Sequence, residues 1–105
     1  MDSSNTLYTE KVLYWLLYHE YSRQHWLTVF TEIMDEVSGD EAKAIDKLSF
    51  AIRSFHIKYQ DAVVKPGNVL YDLIDMGFIS VDWDRVAHAF VDAQRGRDDF
   101  LKPSQ

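Results

Sequence analysis

Apolar positions recur at steps of three and four along most of this chain. The clearest run is Ile45, Leu48, Ile52, Phe55, Tyr59 and Ala62, a spacing that keeps one face of an α-helix against a core. At about 100° of rotation per residue, Phe50 and Ile57 fall nearly opposite that stripe. Such a helix either sits centrally in a bundle, with Phe50 and Ile57 under the N-terminal helices, or offers its second face to a partner. Trp26, Val29, Phe30, Ile33 and Val37 define a preceding helix over residues 22–37, closed at Ser38-Gly39, where Gly suits the left-handed residue of a helix C-terminus. Asp40 is the expected cap of the long helix, which runs to about Val63, where Pro66-Gly67 breaks the pattern.

Upstream, Val12 to Tyr18 is apolar without interruption. Periodicity alone does not separate buried helix from buried strand there. The Leu- and Glu-rich surroundings and the lack of a turn pair favour helix, with Thr6 or Thr9 as cap and Ser22 as a cap if the region divides in two. Downstream, Asn68 is expected to cap a short helix reaching Asp75 or Met76, with Val69, Leu70, Leu73 and Ile74 inward and Gly77 at its end. Phe78-Ile79 then returns to the core. Asp82 caps a last helix whose apolar face is Trp83, Val86, Ala87, Phe90 and Ala93, stopped by Gly96. The pattern predicts an all-α, single-domain bundle of four to six helices over residues 1–105, with residues 1–5 and 97–105 as flexible ends.

Composition sharpens this. A chain of 105 residues with 47% hydrophobic content, three Trp, six Tyr and six Phe can fill one core. Without cysteine there is no disulfide framework, thiolate metal site or cysteine nucleophile. Net charge of −6 disfavours direct binding to nucleic acid phosphates and favours partners with basic surfaces. No apolar run is long enough for a membrane span, and the polar start Met1-Asp2-Ser3-Ser4-Asn5 does not read as a signal peptide. A cytoplasmic protein is the expectation.

Catalytic chemistry has no comparable signal. The four glycines are isolated at expected helix boundaries, so no phosphate-cradling loop exists, and no Gly-x-Ser-x-Gly occurs. Asp84, His88 and Asp92 share a helix edge at four-residue spacing, but a metal there needs a further ligand that nothing identifies. His19, His25 and His56 fall in no ligand spacing. No cofactor and no metal are therefore expected. Charge is the more conspicuous feature. Glu32, Asp35, Glu36, Asp40, Glu41 and Asp46 stand against Lys43 alone, and Asp72, Asp75, Asp82 and Asp84 form a second acidic set, with Asp72 and Asp75 on the outer face of the short helix. These acids read either as caps and solvated helix ends or as a knob for a basic surface. The crowded aromatics Tyr8, Tyr14, Trp15, Tyr18, Tyr21 and Trp26 read either as core or as interface, self-association included.

The segment from Asn68 to Gln94, a short acidic helix followed by Gly-Phe-Ile and by Asp-Trp-Asp leading an amphipathic helix, resembles the tail of small acidic proteins encoded by phages and plasmids, among them antirestriction and anti-CRISPR proteins. The resemblance covers about a quarter of the chain and carries over no functional residue. It implies a noncatalytic inhibitor that binds a host defence complex and blocks its nucleic acid site. On that expectation Glu32, Asp35, Glu36, Asp40, Glu41, Asp46, Asp72 and Asp75 meet the basic surface, and Phe50 with Ile57 supplies the apolar anchor. The alternative is a structural or regulatory homodimer joined through the aromatic N-terminal helices.

Overall fold

A computed structural model of the chain describes residues 3–64, 67 and 69–95. Five helices follow in order: α1 (Ser3–Tyr18), α2 (Glu20–Glu36), α3 (Glu41–Val63), α4 (Val69–Ile79) and α5 (Trp83–Gln94). The described residues contain no strand, and the architecture is an all-α bundle.

The apolar N-terminal region is two helices, broken at His19, whose extended backbone (φ −102°, ψ 111°) interrupts the helical path. The break falls three residues before Ser22, and no side chain caps α2. At the corner the His19 ring stacks on Trp15 with centroids 3.5 Å apart, and the His19 carbonyl accepts from the Arg23 N–H at 2.9 Å. α1 starts at Ser3, within the stretch expected as a flexible lead. Thr9 caps nothing. It is buried inside α1, where its Oγ1 accepts a hydrogen bond from the Asp82 backbone N–H at 2.9 Å and so ties α1 to the start of α5.

The α2–α3 turn follows the sequence closely. Ser38 (φ 57°) and Gly39 (φ 83°) both adopt left-handed backbone, and the Gly39 N–H returns to the Met34 carbonyl, satisfying an otherwise orphaned group. Asp40 caps α3 by accepting from the Lys43 N–H, and Asp82 caps α5 by accepting from the Arg85 N–H.

α5 lies antiparallel on the first two thirds of α3. Arg95 at its end pairs with Glu41, the Ser49 hydroxyl donates to Asp84 at 2.7 Å, and the Trp83 ring meets His56 at 5.4 Å. Val86, Ala87, Phe90 and Val91 are fully buried there against Leu48 and Ile52. The face turns further than expected: Val91 and Gln94 are inside, and Ala93 is exposed. Arg23 crosses the bundle to close this end. It is 4% exposed, donates from Nη1 to Gln94 Oε1 at 3.0 Å, and pairs through Nη2 with Glu20 at 2.9 Å.

α4 departs most from expectation. It runs through Gly77 to Ile79, and the flank expected to face inward is outside: Val69, Leu70 and Leu73 are all more than half exposed. Gly77 is the buried residue of this helix, and it lies against the Tyr8 ring. Phe78 packs against the core, but Ile79 is exposed. The expected roles of Pro66, Asn68 and Gly96 and the expected flexible end over residues 97–105 fall outside the described residues.

Candidate functional site

A helix rises about 1.5 Å per residue, so α3 with 23 residues is roughly twice as long as α5 with 12. The shorter helix cannot cover the longer one. The stripe of α3 is accordingly buried at Ile45, Leu48 and Ile52 and emerges into the open at Phe55, Tyr59 and Ala62. α1 passes alongside this uncovered length without closing on it. Between them lies a groove of about 640 Å³, with Lys11 and Trp15 on one lip, Phe55 and Tyr59 on the other, and Leu16, Trp26, His56 and Phe78 at its base. A second hollow of about 300 Å³ continues from it between α1 and α4, bounded by Tyr8, Val12, Leu73, Ile74 and Gly77. Lys11, Val12 and Phe78 line both, so the two hollows adjoin and together make up the cleft.

The cleft is aromatic and ordered by ring contacts. Trp26 meets Phe55 edge-on at 5.5 Å, Phe55 stacks with Tyr59 at 6.1 Å, and His56 meets Phe78 edge-on at 5.9 Å. Burial pushes the His56 pKa below its ordinary value, because a charged imidazole loses hydration among these rings. Its Nδ1 lies 2.8 Å from the Ile52 carbonyl. A carbonyl only accepts, so Nδ1 carries the proton and the neutral ring holds one tautomer. The arrangement suits contact with apolar side chains. Among the described residues lining it, Lys11 is the only formal charge, and it belongs to a lip.

The acidic residues form no comparable site. Of the first set, Asp40 is a helix cap, Glu41 pairs with Arg95, and Glu36 pairs with Lys47 at 3.1 Å. Glu32, Asp35 and Asp46 are exposed. Asp72 and Asp75 lie on α4, and neighbouring Asp61 on α3 accepts from the Tyr71 hydroxyl at 2.7 Å, which raises the Tyr71 pKa. The expected apolar anchor is divided. Phe50 is 67% exposed on the outside of α3. Ile57 lies beneath α4, in a hollow of about 210 Å³ shared with Arg53, Asp75, Phe78 and Trp83. The helix covering Ile57 is thus α4 and not the N-terminal pair, because α2 and α5 already occupy the opposite flanks of α3.

Among the described residues, no three His, Asp or Glu side chains converge to hold a metal ion. On the edge noted in the sequence, Asp84 accepts from Ser49 and Asp92 from Arg95 Nε, while His88 is exposed. No helix among the described residues is long and apolar enough to cross a membrane.

Sequence reading singled out Phe55 and Tyr59 as core and left Trp15 undecided between core and interface. The signal for the cleft was the length of the α3 stripe, which outruns any helix available to cover it. No protein family, curated protein or solved structure matches this chain.

Proposed function

We propose that this chain is a noncatalytic protein-binding domain and that its principal contact surface is the aromatic cleft between α1, α3 and α4. One observation carries this reading. Tyr8, Trp15, Phe55, Tyr59 and Leu73 are each between 45% and 60% exposed around two adjoining hollows, and Met76, one turn from Leu73 on α4, is 65% exposed beside them. Soluble single chains rarely leave so much contiguous apolar surface uncovered unless it binds something. Tyr and Trp are also the side chains that dominate interface energetics.

A second reading keeps the acidic set as the contact, in an inhibitor that occupies a basic site otherwise used by nucleic acid. It is favoured by the exposure of Glu32, Asp35 and Asp46, which have no cap or ion pair among the described residues. Exposed carboxylates contribute little singly, about 0–1 kcal/mol per pair, so on this reading they act mainly by steering.

Quantitative capture with tagged chain distinguishes the two, using cell lysate and untagged copies of the chain as prey. The cleft variant Trp15→Ser/Tyr59→Ser should lose most of what the wild type retains. The variant Glu32→Lys/Asp35→Lys/Asp46→Lys should keep it, and it spares the Asp40 cap. The reverse pattern favours the acidic inhibitor. Specific retention by neither wild type nor variants overturns protein binding altogether.

A further inference from the structure

The face that carries the cleft also carries an apolar ridge. On α4, Leu73 and Met76 project beside the hollow and are 60% and 65% exposed. A surface with both a groove and a ridge is the requirement for an isologous pair, in which each copy gives what the other receives. Resting on the protein-binding reading above, we propose that the occupant of the cleft is a second copy of this chain. The α4 ridge of one copy seats between the Trp15 and Tyr59 lips of its partner, and a two-fold axis returns the contact.

Area and charge both support this occupant. A buried aromatic side chain covers about 150–250 Å². The four half-exposed aromatics around the cleft therefore offer on the order of 400 Å², to which Leu73 and Met76 add, and Leu7, Tyr14 and Tyr18 extend the apolar surface around α1. A stable interface needs about 800 Å² from each partner, so the face is of the right size. The ridge helix carries Asp72 and Asp75 and no basic residue, whereas the groove lip carries Lys11, with Lys58 beside Tyr59 and the acids Glu10 and Asp61 as further neighbours. Seating α4 of one copy in the groove of the other brings opposite charges together. The acidic set around the α2–α3 turn is remote. Glu41 lies fourteen residues before Phe55 on α3, roughly 21 Å along the axis, so the two acidic poles point away from the proposed contact.

Light scattering and sedimentation equilibrium of the full chain test the pairing. The wild type should have twice the 12.3 kDa mass of one chain and keep it at high salt, because the contact is mainly apolar. Leu73→Glu/Met76→Glu should weaken the dimer at least tenfold with an unchanged helical circular dichroism spectrum, since both side chains are exposed. The chain has no cysteine, so single Met76→Cys and Tyr59→Cys variants give a second readout independent of those charges. Mixed under mild oxidation, they should form the hetero-disulfide in excess over either homo-disulfide. A wild type that stays at 12.3 kDa at high concentration overturns the proposal, as does a dimer indifferent to both variants, or a mass that grows without limit. A single-mass wild type that still loses a captured lysate protein on Trp15→Ser/Tyr59→Ser removes the second copy and leaves the binding reading standing.

Discussion

α4 and α5 are nearly equal in length, at 11 and 12 residues, yet they meet opposite fates. α4 is the more apolar, with only Asp72 and Asp75 charged. Even so, Val69, Leu70, Leu73, Met76 and Ile79 are all more than half exposed. α5 carries Asp84, Arg85, His88 and Asp92, but Val86, Ala87, Phe90 and Val91 are completely buried. Segregation decides burial here, and total hydrophobicity does not. α5 places its apolar residues on one face and its charges on the other, so a single packing orientation satisfies both. α4 is apolar nearly all round, and any single docking leaves part of it outside. A helix of that kind belongs inside a larger assembly or against a partner.

The contrast can be broken most strongly in the core. Phe90→Ala should cost about 3–5 kcal/mol in denaturant unfolding, since Phe90 is fully buried. Leu73→Ala should cost within about 0.5 kcal/mol in dilute solution, given its exposure. If Leu73→Ala becomes costly only at high protein concentration, the missing burial lies between copies, because a partner stabilises the folded state by mass action. Comparable losses for both variants in dilute solution would erase the distinction between the two helices.

The next effect concerns the end of α5. Arg23→Met should destabilise by about 1–3 kcal/mol, the usual cost of leaving a buried acceptor unpaired, here Gln94 Oε1. Combining it with Gln94→Met should recover part of that loss, and a purely additive double variant would show that the 3.0 Å bond is not the source.

His56 links the cleft to pH. Burial lowers its folded-state pKa below the ordinary 6.5. Below about pH 6.5 the unfolded chain takes up a proton that the folded chain refuses, so stability falls with pH until the folded pKa is reached. The loss should be absent above that window and should disappear in His56→Gln, measured as melting temperature against pH. The smallest effect sharpens the description of α4. Gly77→Ala should stabilise by about 0.5–1 kcal/mol through helix propensity. The added Cβ meets the half-exposed Tyr8 ring at 3.4 Å and requires at most a small shift. A clear loss of stability would mean that the α1–α4 approach at Tyr8 is tighter than an open cleft implies.

Much of the fold was legible locally. Asp40 and Asp82 read as caps because a carboxylate before an amphipathic run satisfies free N–H groups, and both do so. Ser38-Gly39 read as a helix end and is one. The break at His19 was not legible, because no Gly, Pro or capping side chain marks it. Gly77 misled for a related reason: a glycine that ends a helix and one that admits a neighbouring Tyr8 ring look alike in sequence. The cleft was misread because Phe55 and Tyr59 keep the periodicity of core residues. Their exposure follows from how far α5 reaches.

The sequence by itself determined the helical class, the caps at Asp40 and Asp82, the acidic balance and the buried centre at Leu48, Ile52, Val86 and Phe90. These follow from spacing and short-range hydrogen bonding, which neighbouring residues control. Only the tertiary structure decided which greasy surface stays open. That depends on the relative lengths and directions of α3, α5 and α1, and no local pattern encodes which of several apolar faces finds a cover when there are too few helices to cover them all.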